Sequence, residues 1–401
     1  MAPDTFSLLA THLAFFLTGL LLLLLLGFQA GNSKVAIVGY FSHIAVGFLL
    51  WNSTFPKGDA STYTMFGRVY SEFLDGGFQK PLLVSGKDGW PILLGNLFHK
   101  FGYIPELGIY INATALVIAA LVTHKTCEIL NIQSNQPIAA LIILFSPASL
   151  YWGSLPGREP LNWLCISVMV LGAALLLVNR WVQGILSILI AMVSLFPIRG
   201  SISVALAFTF LVSFGLTYKP QQIIGKIGRF GAFALALTLL PLAIERLNNQ
   251  GLNGRSIEKV RSSLAIANSA FINGDSSTTT YHVFSLETLK AIPEILIGPF
   301  FWQVRPSFLL AFIDAIFWMV AWYFCYIGIK FTKRYEILKL YVLPALAMAI
   351  IGATTLTNFG IVIRLRGLLT PILAPVIALG IITFLTHQKS TSKVTAEQAL
   401  P

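Results

Sequence analysis

Apolar runs of about 17–23 residues recur along the whole chain, which is the length at which an α-helix crosses the core of a bilayer. A chain in lipid must bond its backbone polar groups internally, and helices do so within each segment. Only 11% of the residues are charged, whereas a soluble domain carries about 25%. The sequence therefore predicts an all-α polytopic membrane protein, with 1–401 as a single membrane domain.

We predict about eleven transmembrane helices from these runs. They fall at 6–28, 34–51, 104–123, 137–152, 161–178, 181–197, 201–217, 227–244, 307–329, 340–357 and 367–386. The apolar stretch 91–98 is too short to span, so it predicts an interfacial or re-entrant element. Two polar outer loops, 52–90 and 245–306, are the candidate active-site elements, and 387–401 is predicted to be a cytoplasmic tail.

Orientation follows from the lysines and arginines of the short loops, which concentrate on the cytoplasmic side. An outer N-terminus places Lys125, Arg180 and the basic stretch 330–339 inside. The protein is then a multi-pass protein of the cell (plasma or inner) membrane. The net charge of +11 fits basic groups that face anionic lipid or phosphate ligands, and it gives no indication of nucleic acid as a partner.

The loop 52–90 contains the carboxylate that we interpret as the chemical centre, Asp59. Asp59 follows a helix end and lies beside Gly58 and Ala60, small residues that let a substrate approach closely. Such a carboxylate can accept a proton from a sugar hydroxyl or help to hold a divalent cation. Tyr63, four residues further on, is a candidate phosphate- or substrate-binding residue. An ordinary connecting loop with one solvated aspartate is the alternative, and Asp75 and Asp88 compete for the same role.

Charged residues also interrupt the apolar runs at three other places, all on the predicted outer side. Glu159 precedes Pro160 and either stabilises a helix N-terminus or takes part in catalysis, while Arg158 pairs with it or reaches a phosphate. Arg199, in a short break, either extends to the interface or binds an anion.

Arg364 and Arg366 precede the last span. If that segment is extended, both side chains point the same way and form a phosphate clamp. Anchoring on lipid headgroups is the alternative. Asp314 lies inside a predicted span, where we expect it to pair with an arginine of a neighbouring helix.

Motifs for other chemistry are missing from the sequence. Histidines and cysteines lack metal-ligand or redox spacing, so we assign no metal site to them, and no P-loop, dinucleotide fingerprint or nucleophile elbow occurs. The sequence identifies no cofactor with certainty, and a divalent cation at Asp59 is the one candidate.

Five short motifs, in this order, resemble the GT-C superfamily of membrane glycosyltransferases found in bacterial exopolysaccharide and cell-envelope gene clusters. They are Gly58-Asp59-Ala60 with Tyr63, Tyr110-Ile111-Asn112, Ser146-Pro147 followed by Arg158-Glu159, Pro299-Phe300-Phe301-Trp302, and Asn358-Phe359-Gly360 with Arg364-Leu365-Arg366. The resemblance implies that Asp59 acts as an outer-face base or metal-assisted orienter. It also implies that Arg199, Arg364 and Arg366 hold a lipid phosphate.

The expected function is transfer of a sugar from a polyprenyl-phosphate donor to an envelope glycan or lipid acceptor. An O-antigen or exopolysaccharide polymerase or ligase would use the same arginines but no carboxylate base of this kind. A transporter or flippase of lipid-linked sugars would instead show inverted repeats and charges near the bilayer midplane.

Overall fold

The computed structural model describes residues 5–29, 31–53, 59–77, 88–132, 137–217, 226, 229–232, 234–238, 292–293, 295–298, 309–332, 334–354 and 359–398. Within these ranges the chain forms helices and turns and no strand. Seven of the described helices are long and apolar enough to cross a membrane. The protein is therefore a multi-pass, all-α membrane protein, as the apolar runs predict.

Twelve of the described helices serve as the framework for the site. They are α1 (Thr5–Gln29), α2 (Ser33–Asn52), α3 (Asp59–Leu74), α4 (Gly89–Phe101), α5 (Leu107–Ile129), α6 (Ile138–Phe145), α7 (Pro147–Trp152), α8 (Glu159–Leu177), α9 (Trp181–Thr217), α10 (Leu309–Thr332), α11 (Tyr335–Thr354) and α12 (Phe359–Gln398).

Two breaks in the helices lie at residues that explain them. The span expected at 137–152 is two helices, because Ser146 caps α7 and Pro147 occupies its first turn. The spans expected at 181–197 and 201–217 are the two halves of α9, which separate where Arg199 has non-helical backbone angles (φ −150°, ψ 74°). The halves fold back on each other, because the rings of Trp181 and Phe214 lie 5.2 Å apart. The bend follows Pro197, which cannot donate to the helical ladder.

The described part of the predicted outer loop 52–90 contains more regular structure than its polar composition predicts. Asp59 begins helix α3, and the stretch 91–98 lies within the 13-residue helix α4. Neither helix has the length of a span. The other predicted outer loop, 245–306, lies outside the described residues except for 292–293 and 295–298.

Two turns at helix ends depend on asparagine. Asn131 and Asn179 have positive φ angles of 53° and 65° at the ends of α5 and α8. In both turns the backbone N–H of the residue after the asparagine donates to a carbonyl of the last helical turn. Ile132 donates to Cys127, and Arg180 donates to Leu175. This is the Schellman arrangement, in which asparagine tolerates the left-handed conformation better than most side chains do.

Helices α5, α8 and α12 form the buried centre, whereas α1 and the first half of α9 present most of their surface outward. A close crossing of α10 and α12 depends on two glycines. A Cβ on Gly380 would collide with the carbonyl oxygen of Phe324, and one on Gly328 would lie 3.0 Å from the Gly380 nitrogen. Small residues at such crossings let membrane helices approach closely, and this one fixes the position of α12.

Candidate anion site at one membrane face

Six side chains that the sequence singles out converge at one end of the helical bundle. We call them the arginine cluster: Asp59 and Tyr63 of α3, Arg158 and Glu159 at the start of α8, Arg199 at the bend of α9, and Arg364 of α12. They come from four segments that are far apart in the sequence, so only the tertiary fold brings them together.

Arg364 is the centre of this cluster. Its Nε donates to Glu159 Oε1, its Nη1 donates to Asp59 Oδ2, and its Nη2 donates to the Tyr63 hydroxyl at 3.0 Å. The guanidinium group also lies over the indole ring of Trp152, with 5.6 Å between its carbon and the ring centroid. All three nitrogens of Arg364 thus have protein acceptors, which makes this residue an organiser of the site.

Glu159 is shared between two arginines. Its side chain is 1% exposed, and its Oε1 accepts from Arg364 and also from Arg199 Nη2 at 3.1 Å. It is the first residue of α8, with proline next, so the predicted helix start is correct and the carboxylate also lies at the positive end of the helix dipole. Because Glu159 is buried between Arg364 and Arg199, it can hold both guanidinium groups in place.

Arg158 and Arg199 retain hydrogen-bonding capacity. Arg158 Nη1 donates to the carbonyl oxygen of Ile198 at 3.1 Å, and its guanidinium lies over the Tyr63 ring at 5.4 Å. The bond to Ile198 fastens Arg158 beside the neighbouring Arg199. The Nε atoms of both arginines are buried and have no acceptor within the described part of the chain. Buried polar groups normally have partners, so these two N–H donors are unsatisfied within the described residues.

The turn at 153–158, which carries Arg158, is fixed by side chains of other helices. Asn112 of α5 donates through Nδ2 to the carbonyl of Gly157 at 2.9 Å. Trp90 of α4 donates through Nε1 to the carbonyl of Pro156 at 3.2 Å. These bonds satisfy backbone acceptors that the interrupted helix leaves open, and they hold the arginine in a defined place.

Asp59 is the accessible carboxylate of the cluster, with 53% of its side chain exposed. Burial of its inner part raises the pKa of the Asp59 carboxyl, but the positive charges of Arg364, Arg158 and Arg199 outweigh that effect. The pKa therefore lies below its ordinary value, and the group is ionised at neutral pH. Burial lowers the pKa of Arg158, and the like charge of Arg364 lowers it further.

Arg366 does not join the cluster. It donates through Nη1 to Asp314 Oδ2 of α10 at 2.9 Å, and both side chains are 0% exposed. The expectation that Arg364 and Arg366 lie in an extended segment is wrong, because α12 begins at Phe359. Side chains of residues two positions apart on a helix point in nearly opposite directions, about 200° apart. The expected pairing of Asp314 with an arginine of another helix is confirmed.

The competing carboxylates of the same loop lie elsewhere on it. Asp75 follows the far end of α3, where it accepts from His99 Nδ1 at 2.6 Å, and Asp88 directly precedes α4. Sequence reasoning missed Trp152, whose ring supports Arg364, and Asn162, whose amide is buried near Glu159 on α8 without a partner among the described residues. A polar residue one turn into an apolar span was the available signal for Asn162.

No group of three or more His, Cys, Asp or Glu side chains suited to a metal ion occurs among the described residues. A divalent cation at Asp59 remains a prediction. Comparison of the chain with protein-family models, with curated proteins and with solved structures found no match. The functional argument therefore depends on the geometry of the arginine cluster and on the chemistry that it allows.

Proposed function

We propose that the protein is a membrane glycosyltransferase that takes a sugar from a polyprenyl-phosphate donor and transfers it to an envelope glycan or lipid acceptor. The observation that carries this proposal is the meeting of three arginines and one accessible carboxylate at the end of a lipid-embedded helical bundle. Ionisable groups beside apolar spans are costly and usually mark a ligand path. The phosphate of a lipid-linked donor needs cations to neutralise its charge, and the acceptor hydroxyl needs a base to take its proton.

In the proposed reaction, the prenyl tail lies in the bilayer and the phosphate meets the arginines. The acceptor oxygen attacks the anomeric carbon from the face opposite the phosphate and forms the new glycosidic bond. The bond between that carbon and the phosphate oxygen breaks, and its electron pair leaves with the phosphate. Guanidinium groups stabilise the departing charge. The proton of the acceptor hydroxyl passes to Asp59, which is ionised and exposed.

We also propose eleven spans with an outer N-terminus, so that the cluster lies on the outer face of the cell membrane. Two contacts at opposite ends of α5 support alternating helix directions. Trp51 at the end of α2 donates to Glu106 before α5 at 3.2 Å, and Arg334, between α10 and α11, donates to the carbonyl of Leu130 after α5 at 2.5 Å. Arg334 belongs to the basic stretch expected inside.

A transfer assay tests the proposal. Purified protein is reconstituted with lipid-linked sugars extracted from radiolabelled cells that produce it, together with delipidated envelope glycan and total cell lipid as acceptors. We expect one labelled residue to be added to an acceptor. A ladder of products would identify a polymerase or ligase instead. Label that changes leaflet without a new glycosidic bond would identify a flippase, and either outcome would contradict the proposal.

A further inference from the structure

A pocket lies at the end of the helical bundle opposite the arginine cluster. It is lined by the ends of α5 and α8, by Thr217 of α9 and by the start of α11. Its volume is about 330 Å³, within the range of about 300–1,000 Å³ that small-molecule sites occupy. The cluster lies at the first turn of α8 and the pocket at its last, and the 19 residues of α8 correspond to about 28 Å of helix. The pocket is therefore separate from the site described above.

The pocket contains one basic and one acidic side chain. Arg334, which is half-buried, donates through Nη1 and Nη2 to the carbonyl oxygens of Asn131 and Leu130 after α5. A guanidinium group has further N–H donors, so Arg334 can also meet a ligand. Glu336 is exposed in the first turn of α11, and among the described residues it is not an acceptor of Arg334. Both charges can therefore face a ligand that carries the opposite charges.

Backbone groups add negative potential to one wall of the pocket. Leu177 and Val178, at the end of α8, line this wall. The last carbonyl groups of a helix have no partner within the helix, and they carry the negative end of its dipole. In the described part of the chain, the turn after α8 satisfies the carbonyls of Leu175 and Leu176 but not those of Leu177 and Val178. A cation with several N–H donors suits this wall better than an anion does.

We propose that this pocket binds the headgroup of a phospholipid that carries a primary ammonium and a phosphodiester, as phosphatidylethanolamine does. The phosphodiester meets Arg334, and the ammonium donates to Glu336 and to the carbonyls at the end of α8. The pocket lies where the spans end, which is the depth of lipid headgroups. Because the headgroup has both charges, it matches the pocket, whereas an anionic headgroup would leave Glu336 unpaired. This inference does not depend on the proposed function.

Binding of three phospholipids to the full-length protein tests the assignment. Native mass spectrometry of the detergent-solubilised protein gives the dissociation constant of the first lipid bound. The probes are dioleoyl phosphatidylethanolamine, phosphatidylcholine, which keeps both charges but has no N–H donor, and phosphatidylglycerol, which has no ammonium. We expect phosphatidylethanolamine to bind at least about tenfold more tightly than either, because hydrogen bonds of charged groups contribute at least that much. Equal binding of phosphatidylcholine, or tighter binding of phosphatidylglycerol, would overturn the proposal.

Glycerophosphoethanolamine, the same headgroup without acyl chains, distinguishes a lipid from a soluble ligand. The apolar residues Ile129 and Ile337 line part of the pocket and suit the lipid beyond its headgroup. We therefore expect the soluble compound to leave bound phosphatidylethanolamine in place at about tenfold excess, because it lacks the apolar contacts. Displacement of the lipid at equal concentration would contradict a lipid site.

Two variants with matched controls locate the binding. Val178→Trp fills the pocket at a position that is 38% exposed, so it should weaken binding of phosphatidylethanolamine by at least about tenfold without unfolding the protein. Val182→Trp adds the same ring at an exposed position of α9 outside the pocket, and it should leave binding unchanged. Unchanged binding in Val178→Trp would place the lipid elsewhere and overturn the proposal.

Glu336→Gln tests recognition of the ammonium, because it keeps the size of the side chain and removes its charge. The preference for phosphatidylethanolamine over phosphatidylcholine should fall to about threefold or less. Glu128→Gln is the control, since it removes an exposed acid of α5 that pairs with Lys125 and does not line the pocket. A full preference in Glu336→Gln would contradict the role assigned to Glu336.

Discussion

Replacing Arg364 with glutamine is expected to cause the largest loss of stability of any single change in the cluster. The substitution removes the arginine that pairs with Asp59 and one of the two that pair with the buried Glu159, and it leaves the Tyr63 hydroxyl without its donor. Breaking a buried ion pair by removing one partner costs about 3–5 kcal/mol. Thermal unfolding of the detergent-solubilised variant should therefore begin at a clearly lower temperature, and sugar transfer should be lost.

Arg364→Lys separates charge from geometry, because lysine keeps the charge but cannot direct three donors into a planar fork. We expect it to recover only part of the lost stability. Arg68→Gln, which removes an exposed arginine of α3, should change the free energy of unfolding by no more than about 0.5 kcal/mol. An Arg364→Gln variant that unfolds at the same temperature as the unaltered protein would show that Arg364 does not organise the site.

The largest effect on catalysis without a loss of folding is expected from Asp59→Asn. Asparagine has the same size, and the position is half exposed at the start of α3, so the amount of protein in the membrane should not change. The amide cannot accept the proton of the acceptor hydroxyl. We expect the rate of sugar transfer to fall by about 10²–10⁴-fold, the usual contribution of a general base.

Asp75→Asn provides the control for that experiment, because it removes an exposed carboxylate from the same loop without touching the cluster. It should leave the transfer rate within about twofold of normal, as expected for a surface change far from the chemistry. Full transfer activity in Asp59→Asn would exclude Asp59 from the mechanism and would favour a polymerase or ligase that depends on the arginines alone.

Much of the membrane architecture is predictable from the sequence, because lipid requires every span to be an apolar helix that bonds its own backbone groups. Helices α1, α2 and α8 begin and end within a few residues of the positions that their apolar runs predict. The loop 52–90 is harder to predict. Its helices α3 and α4 are short and partly polar, so their stability comes from packing against each other and against the bundle, which sequence patterns do not contain.

The candidate site is predictable in its residue types but not in its pairings. Charges beside apolar spans are conspicuous, and five of the six cluster residues are such charges. Which acceptor each arginine uses depends on helix rotation. Because α12 begins at Phe359 and not after Arg366, Arg364 and Arg366 point to different partners. That single difference places Arg364 at the centre of the cluster and pairs Arg366 with Asp314.

The central claim is that α3 and the start of α12 meet at the same outer membrane face. Alkaline phosphatase, which is active only outside the cytoplasm, is fused after Gly76, after Asn179, after Arg334 and after Thr354. We expect activity from the Gly76 and Thr354 fusions and none from the Asn179 and Arg334 fusions. Activity from only one of the Gly76 and Thr354 fusions would place Asp59 and Arg364 on opposite sides of the bilayer, and that result would contradict the account.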